Sequence, residues 1–460
     1  MSRRVIEICA FKDGAGPDRL SFRLSEPPDT YPGADTFSPL TCTAQDVEFA
    51  AIGGQLLDQD AVRLAGVRLR ESLSGQPAVR QAIQEAISQA KQGAVVPIYL
   101  LIRDGTQAIE MLPWETLWDP QEQFLALDGR WPIGRMSGGQ PGKQVERTFN
   151  PPIRLLAFLA ATGIEARPEW DALYGALCAA KLPVDLRVYL CEPDLENHIK
   201  SLPADPNVGV EVAYLPQPFD FAQLIANADE SPHIIHFFCH GSTEDGPTLL
   251  LATLTDWEHG ESSVKLGPDE FRRIPGWDSH LWLVTLNCCE SAAPDQQTSS
   301  FARALVAEMK VPAVVAMREA VKAEDANIFS GAFYAALLRE IKPSLDTGAR
   351  PVEIEWARAL QAPRHSICQA YATSSQKKLS SAAACSKEWA LPVIYVRAEE
   401  FKLRAIPQQS PLSEQDRLSI KAEIDKLRQV IAELPENVPE QAIAILKAQI
   451  ASLEATLFPA

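Results

Sequence analysis

The sequence predicts an α/β protein built on a sheet of about six mostly parallel strands with helices packed against it. Three patterns indicate this fold class. From residue 151 onward, apolar strand-like runs alternate with helix-like segments, an order typical of parallel sheets. Two of these runs are so apolar that they fit strands covered on both faces. The pattern changes on either side, which predicts an N-terminal α+β accessory subdomain and a C-terminal helical hairpin.

The accessory subdomain is predicted over residues 1–150. Residues 5–10 and 20–24 alternate apolar and polar side chains around a segment rich in Gly and Pro, which predicts a β-hairpin. Residues 77–92 repeat apolar side chains on one helical face and are followed by a glycine, so we expect a helix there. The next segment, 95–103, is typical of a strand.

The main domain is predicted over residues 151–405, where strands and helices alternate. The predicted strands lie at 153–161, 186–191, 210–215, 234–239, 282–288, 313–317 and 391–397. The predicted helices lie at 168–180, 193–202, 219–228, 298–310 and 323–342. Two insertions interrupt this order: a short hairpin arm that starts at Thr248, and a long segment, 343–389, with helical pieces. Long insertions in compact domains are commonly functional or mobile loops.

Residues 412–458 carry two short heptad seams. The first seam has apolar residues at alternating spacings of four and three: Ile420, Ile424, Leu427, Ile431 and Leu434. The second seam consists of Ile443, Leu446, Ile450, Leu453 and Leu457. A segment with two prolines, 435–439, separates them, which predicts an αα-hairpin. Isolated helices of this length are marginal in water, so the hairpin packs either on its own chain or on a second one.

The composition excludes several classes of partner. The chain has 460 residues, 46% of them hydrophobic, and a formal net charge of −17. Nucleic acids and anionic membranes attract basic patches, so neither is expected as a direct partner. No run of about 18 apolar residues and no signal-peptide core occurs, so we expect a cytoplasmic protein. The 9 cysteines include no Cys-x-x-Cys pair, which favours buried thiols in a reducing compartment.

The two most apolar runs end in reactive side chains. Residues 233–241 (HIIHFFCHG) contain His240 at their end. Residues 281–291 (LWLVTLNCCES) contain Cys288 and Cys289. Ligands of open parallel sheets lie beyond the carboxyl ends of the strands, so the histidine and a cysteine are expected at one rim. A thiolate attacks carbonyl carbons and an imidazole moves the proton, which predicts acyl transfer, most simply peptide hydrolysis.

Strand geometry restricts which of these side chains act together. Neighbours in a strand face opposite sides, so only one of Cys288 and Cys289 can face His240. The same period puts His233 on the opposite face from His236, which argues against a metal site in this histidine-rich run. No carboxylate or cysteine set nearby completes a zinc site, so neither a metal nor another cofactor is expected.

The two runs resemble the signature segments of CHAT domains, the bacterial caspase-like cysteine peptidases of clan CD. The resemblance extends upstream to residues 112–120 (LPWETLWDP), where Trp114 and Glu115 are interpreted as a structural contact between the two halves. Downstream it includes residues 300–305, 311–318, 329–338 and 357–360, in the family's order. The ordered motifs imply a caspase-like three-layer sandwich over 151–405, with this domain as the catalytic one. The resemblance also implies that the insertion 343–389 gates the substrate cleft.

The resemblance also implies roles for single residues. Matching Glu290 and Ser291 to the family pattern selects Cys289 as the nucleophile and leaves Cys288 as a packing residue. The His-Gly motif makes His240 the general base.

Clan CD peptidases work with a dyad, so no third catalytic residue is expected. The resemblance further implies an oxyanion hole made by the backbone amides of Gly241 and Cys289. A glycine at 241 suits this role, because the substrate backbone must approach closely there. His236 is then a core residue of the strand.

Candidate substrate-pocket residues are Asn287, Asp245 and Glu290. Metacaspase-like relatives place an acidic residue two positions before the nucleophile to bind a basic substrate side chain. Here Asn287 occupies that position, so a strong preference for Arg or Lys is not implied.

These patterns together predict a cysteine endopeptidase that hydrolyses protein substrates. The resemblance implies a latent effector of a bacterial antiviral defence or signalling system, held inactive until a sensor protein activates it. The hairpin at 412–458 is the candidate for docking such a partner or for self-association. Two alternatives remain: a catalytically idle caspase-like scaffold that acts by interaction, and an acyl transferase that uses the same dyad.

Overall fold

The structure is a computed structural model that describes residues 3–11, 19–25, 30–33, 35–43, 60–103, 107–226, 231–243, 246–274, 277–288, 300–346, 350–406, 414–433, 446–447 and 450. The chain divides into two units, Met1–Ala405 and Ile406–Ala460. The first unit holds all of the described strands and therefore the candidate site.

The strands of the described residues are short, with two to eight residues each. They are β1 (Arg4–Phe11), β2 (Arg19–Leu24), β3 (Ser38–Pro39), β4 (Ile98–Ile102), β5 (Trp118–Asp119), β6 (Gln123–Phe124), β7 (Ile133–Met136), β8 (Gln144–Phe149), β9 (Ile153–Leu159), β10 (Val184–Leu190), β11 (Val208–Tyr214), β12 (Ile234–Phe238), β13 (His240–Ser242), β14 (Thr248–Leu251), β15 (Val264–Leu266), β16 (Leu283–Leu286), β17 (Ala313–Met317), β18 (Val352–Glu353), β19 (Pro392–Val396) and β20 (Glu400–Ala405).

The helices range from single turns to the long helix that follows β17. They are α1 (Ala61–Ser74), α2 (Pro77–Lys91), α3 (Gln107–Met111), α4 (Arg167–Ala180), α5 (Pro193–Ser201), α6 (Phe221–Ala226), α7 (Leu254–His259), α8 (Pro268–Arg272), α9 (Trp277–His280), α10 (Phe301–Ala307), α11 (Ala323–Asp346), α12 (Gln361–Ser374), α13 (Leu379–Cys385) and α14 (Glu414–Glu433).

One large sheet organises the first unit. It has 12 strands in the order β11-β10-β9-β12-β16-β17-β19-β7-β4-β1-β2-β3. The first six of these are mutually parallel, as predicted. β19 then runs antiparallel to β17. The sheet is therefore mostly parallel, but the predicted count of about six strands is too low because N-terminal strands extend it.

The N-terminal strands join the sheet through β7 and β19. These two strands pair in parallel, with Tyr395 opposite Arg135 and Val396 opposite Met136. β4 and β1 continue the parallel order, and β1 forms the predicted antiparallel hairpin with β2. The boundary proposed at residue 150 thus falls within one unit.

Two helices show why the predicted elements form. In α2, Pro77 occupies the first turn and has no N–H group that needs a partner. The Gln76 side chain accepts a hydrogen bond from the Val79 backbone N–H, which caps the start of the helix. Its apolar face, which includes Ile83, is buried. In α4, the face that includes Trp170 is buried, and the helix packs against α11. Both helices confirm the predictions made from the apolar periodicity of the sequence.

Helix α1 is an element that the sequence analysis did not predict. Its interior contains Gly66, and a glycine inside a helix costs about 1 kcal/mol relative to alanine. In the structure a Cβ at this position would lie 2.0 Å from the carbonyl oxygen of Thr116. The glycine therefore permits close contact between α1 and the segment 114–116, a requirement that helix propensity cannot reveal.

The segment 343–389 is largely packed into the first unit. Arg364 of α12 is fully buried and donates to the carbonyl oxygens of Ile133 and Pro392, which belong to β7 and β19. Cys368 and Trp389 are also buried. The helical pieces predicted for this segment are confirmed as α12 and α13, and they carry core side chains. The gating role stays a prediction.

The second unit is described mainly by α14. This helix carries most of the first predicted heptad seam, and its Leu418 and Val430 are 63% and 40% exposed. Most of the second seam lies outside the described residues, so the hairpin stays a prediction. Within the described ranges, no helix combines the length and the apolar character that crossing a membrane requires.

Candidate active site

His240 lies where the chain leaves β12 and enters β13, at the carboxyl-end rim of the parallel strands. Its side chain is partly exposed, and Nε2 lies 2.7 Å from the carbonyl oxygen of Thr162. A carbonyl oxygen only accepts hydrogen bonds, so Nε2 must carry the proton and donate it. In the neutral imidazole, Nδ1 then holds the lone pair. Nδ1 is therefore the nitrogen that can take a proton from a thiol.

The carbonyl group that orients the imidazole is fixed by its own neighbours. The Thr162 hydroxyl donates to the carbonyl oxygen of Glu261 at 2.5 Å and lies 2.6 Å from the hydroxyl oxygen of Ser262. Two residues earlier, the Ala160 amide donates to the carbonyl oxygen of Phe238 at 2.9 Å. The loop after β9 is thus attached both to β12 and to the chain before β15.

Strand β16 brings the cysteine-bearing segment to the same rim. β12 and β16 pair in parallel, with His236 opposite Thr285 and Phe237 opposite Leu286. Beyond this ladder, the backbone N–H of Asn287 donates to the Phe237 carbonyl oxygen at 2.9 Å. The two reactive segments therefore leave the sheet side by side, as the strand pattern predicts.

Only some of the residues predicted in and around the dyad lie in the part of the chain that the structure describes. Cys288 is buried, with 2% of its surface exposed. Cys289, Glu290 and Asp245 lie outside the described residues, so the roles predicted for them stay predictions. Gly241 lies in β13, directly after the histidine, and the oxyanion role of its amide also stays a prediction.

A buried polar cluster lies beside the ends of β12 and β16. The Glu169 Oε1 atom accepts hydrogen bonds from Asn287 Nδ2, at 3.0 Å, and from the Ser330 hydroxyl. His236 Nε2 lies 3.1 Å from the same oxygen. All four side chains are at most 2% exposed. We call these four residues the Glu169 cluster.

Asn287 belongs to this cluster, although the sequence analysis named it as a candidate for the substrate pocket. Its side-chain nitrogen, Nδ2, lies 3.0 to 3.1 Å from three acceptors, in Glu169, Ser330 and the carbonyl group of Ala326. In this structure Nδ2 is thus hydrogen-bonded within the protein.

A buried, uncharged tyrosine packs against the Glu169 cluster. Tyr334 donates to the Thr285 hydroxyl oxygen at 3.3 Å, and its ring meets the His236 ring edge-on with centroids 5.6 Å apart. Burial raises the pKa of Tyr334 far above its usual range, and the nearby Glu169 carboxyl adds to this shift. The phenol therefore stays protonated.

His233 has different surroundings from the other two histidines of the run. Its ring stacks on Trp282 with centroids 4.2 Å apart, and both ring nitrogens lie near N–H donors of Arg154. Burial and then the Arg154 charge lower the pKa of His233 to about 2. This imidazole is neutral and is separate from the Glu169 cluster. Among the described residues, no group of three or more His, Cys, Asp or Glu side chains is arranged to hold a metal ion.

Two features of the site were not predicted from the sequence. The Thr162 carbonyl group belongs to the backbone, and every residue has one, so the sequence gives no signal for it. Glu169 lies in the first turn of α4, where an acidic residue usually faces solvent and interacts with the helix dipole. Its complete burial is a consequence of the packing of α4 against α11.

Comparisons with known proteins give one family match. The family model of the CHAT domain matches residues 191–395. No curated protein matches the sequence.

Several solved structures are similar to the chain at low identity. The Saccharomyces cerevisiae separase–securin complex is 12% identical, with 75% of this chain and 18% of that chain covered and a TM-score of 0.32. The Arg-specific cysteine proteinase gingipain R (RgpB) is 10% identical, with 65% and 63% covered and a TM-score of 0.35. The complex of Porphyromonas gingivalis RgpB pro- and mature domains is 11% identical, with 72% and 71% covered and a TM-score of 0.38.

The family match covers both reactive segments of the candidate site, while Thr162 and Glu169 precede it. It begins at the end of β10 and ends within β19, and it contains both His240 and Cys289. Residues 191–395 of this chain are similar to the CHAT domain.

Proposed function

We propose that this protein is a cysteine endopeptidase in which His240 and Cys289 form the catalytic dyad. The observation that carries the proposal is the hydrogen bond from His240 Nε2 to the Thr162 carbonyl oxygen, at 2.7 Å. This contact places the proton on Nε2 and supports the proposal that Nδ1 is the base. The CHAT-domain match supports a cysteine protease independently.

The reaction begins with proton transfer. His240 Nδ1 takes the proton of the Cys289 thiol, and the sulfur attacks the carbonyl carbon of the scissile peptide bond. A C–S bond forms, and the carbonyl oxygen takes up negative charge. The imidazolium keeps its Nε2 hydrogen bond to the Thr162 carbonyl oxygen, which stabilises the positive charge and holds the ring in place.

The second half of the reaction releases both products. The imidazolium returns its proton from Nδ1 to the nitrogen of the leaving amine, and the C–N bond breaks to leave a thioester. Water then attacks the thioester carbon while His240 takes the water proton. The C–S bond breaks, the carboxylic product leaves, and the thiol regains its proton.

Backbone amides provide the proposed oxyanion hole. The amides of Gly241 and Cys289 are the candidates, because both belong to the segments that leave the sheet at the rim. Asp245 and Glu290 remain candidates for the substrate pocket. The pocket role of Asn287 stays a prediction, and the hydrogen bonds of its amide nitrogen within the Glu169 cluster weigh against it.

Regulation is the second part of the proposal. We infer that activity depends on a sensor protein and that residues 412–458 dock this partner or a second copy of the chain. Most of the first predicted seam lies in α14, and such a seam is typical of helices that pack against another helix.

Proteolysis that depends on one cysteine is the test. Wild type, Cys289→Ala and the matched control Cys288→Ala are expressed in the same bacterial host, with and without candidate partner proteins. All new protein N-termini are then compared by mass spectrometry. We expect new termini with wild type and with Cys288→Ala, and none with Cys289→Ala. New termini that persist in Cys289→Ala would refute the proposed nucleophile.

The same experiment addresses the scaffold alternative. If neither wild type nor Cys288→Ala produces new termini while Cys289→Ala captures the same partners as wild type, the result favours the scaffold alternative over proteolysis. Cleavage that needs Cys289 excludes this alternative.

A further inference from the structure

Glu169 connects the two strands that carry the proposed dyad. Its Oε1 atom accepts from Asn287 Nδ2 at 3.0 Å and lies 3.1 Å from His236 Nε2. His236 lies in β12, four residues before His240, and Asn287 follows β16, two residues before Cys289. One oxygen atom thus contacts a side chain from each of the two reactive segments.

The same carboxyl group attaches these strands to the helix layer. Glu169 belongs to the first turn of α4, and it also accepts a hydrogen bond from the Ser330 hydroxyl of α11. Ser330 in turn lies 3.0 Å from Asn287 Nδ2. The ends of β12 and β16 are therefore held against two packed helices, in addition to the backbone ladder that joins the strands to each other.

Burying the polar side chains of the Glu169 cluster costs free energy. Glu169 and His236 are fully buried, and Asn287 is 2% exposed. Glu169 Oε2, Asn287 Oδ1 and both ring nitrogens of His236 have no hydrogen-bond partner among the described residues, so His236 meets Glu169 at 3.1 Å without hydrogen-bond geometry. Unpaired buried acceptors cost free energy, and apolar side chains of similar size commonly stabilise an interior better. Stability alone therefore gives no reason for these residue types at this place.

We infer that Glu169 is a positioning residue that sets the relative placement of the segments carrying His240 and Cys289. The inference rests on the proposed function, because it assumes that these two residues act as a pair. It assigns Asn287 and His236 as the side chains through which Glu169 acts. The chemical consequence is a thiol that loses its proton more readily when the cluster is intact, because the imidazole then lies where it can take that proton.

The test measures the reactivity of Cys289 with iodoacetamide in the full chain. The rate of alkylation of the Cys289 peptide is followed by mass spectrometry over a range of pH values, which gives the pH midpoint of reactivity. The variants are His240→Ala, Glu169→Ala and the matched control Glu355→Ala. Glu355 is also fully buried, but its carboxyl group contacts Arg3 and Tyr99, away from both reactive segments.

We expect the wild-type midpoint to lie below the ordinary thiol value of about 8.5, and His240→Ala to move it up toward that value. Glu169→Ala should move it in the same direction and slow alkylation at neutral pH by roughly tenfold, since misplacing a reacting group by an ångström costs up to about 100-fold. Glu355→Ala should lower the melting temperature and leave the midpoint unchanged.

The outcomes separate the two proposals. If His240→Ala shifts the midpoint and Glu169→Ala does not, the positioning role is refuted and the dyad stands. If His240→Ala leaves the midpoint unchanged, the dyad itself is refuted. Should Glu169→Ala not fold, Glu169→Gln carries the test, since it keeps the size of the side chain; a wild-type midpoint in that variant would overturn the inference.

Discussion

At the scale of single residues, the tautomer of His240 is the feature on which the proposed chemistry depends. The contact of Nε2 with the Thr162 carbonyl oxygen decides which nitrogen can act as the base. The sequence alone predicts that His240 lies at the rim of the sheet, because it ends an apolar run that is typical of a buried strand. It could not predict Thr162, because the group that matters there is a backbone carbonyl.

His233 shows how burial separates one histidine from its neighbours. Burial and the Arg154 charge lower its pKa to about 2 in the folded protein, below the ordinary value of 6.5. The unfolded chain therefore binds more protons as the pH falls below this ordinary value. The stability that the neutral ring contributes is fully present above pH 6.5 and is lost as the pH falls from there toward 2.

We therefore predict that His233→Gln flattens the pH dependence of stability on the acidic side. Each proton taken up on unfolding contributes a slope of about 1.4 kcal/mol per pH unit. The free energy of unfolding of wild type, measured with urea between about pH 4 and 6, should rise more steeply with pH than that of the variant, by up to this amount. Equal slopes in the two proteins would contradict the assignment, whatever the difference in absolute stability.

At the scale of elements, the strands of the main domain follow directly from the sequence. β9, β12 and β17 are apolar runs that bury nearly every side chain, so their period and length identify them. β7 does not have this pattern. It is four residues long and contains Arg135, which is fully buried, so its sequence is more typical of a loop.

Arg135 is accommodated in β7 by an ion pair. Glu115 binds its guanidinium group through both carboxylate oxygens, at 2.8 and 3.0 Å, and both side chains are fully buried. Burial opposes the charge, yet Arg135 holds the pKa of Glu115 below its usual value. The guanidinium also contacts the Tyr395 hydroxyl of β19, so this pair helps to join the N-terminal strands to the rest of the sheet.

Removing Glu115 should destabilise the first unit strongly. Glu115→Ala leaves a buried guanidinium group without its counter-charge, which costs about 3–5 kcal/mol. The control is Glu146→Ala, since the pair of Glu146 with Arg404 is 37% and 42% exposed, and losing such a pair costs about 1 kcal/mol or less. Urea unfolding of both variants measures the difference. A similar small loss in both would contradict the structural role of the pair.

At the scale of the whole molecule, the two halves of the first unit share one sheet. The sequence divides them at residue 150 because the pattern of elements changes there. The division has no counterpart in the structure, since β19 pairs with β17 on one side and with β7 on the other. Pairing between distant strands depends on which edges meet, and a local pattern holds no information about this.

We predict that the main domain does not fold alone. A fragment of residues 151–405 would expose the edge of β19, whose five residues are all buried in the chain, and an exposed apolar edge strand promotes aggregation. Residues 1–405 should instead give a soluble protein with one cooperative unfolding transition. Light scattering and urea unfolding of the two fragments check this. A soluble 151–405 fragment with the same urea midpoint would contradict the shared sheet as a requirement for folding.

The most direct test of the proposed dyad is covalent capture of the nucleophile by peptidyl acyloxymethyl ketones. These probes alkylate a thiol that a neighbouring imidazole activates, and a panel with different side chains next to the reactive group covers the unknown specificity. We expect an adduct on Cys289 in wild type and in Cys288→Ala, and its loss in His240→Ala. An adduct on another cysteine, or equal labelling of Cys289 in His240→Ala, would contradict the dyad.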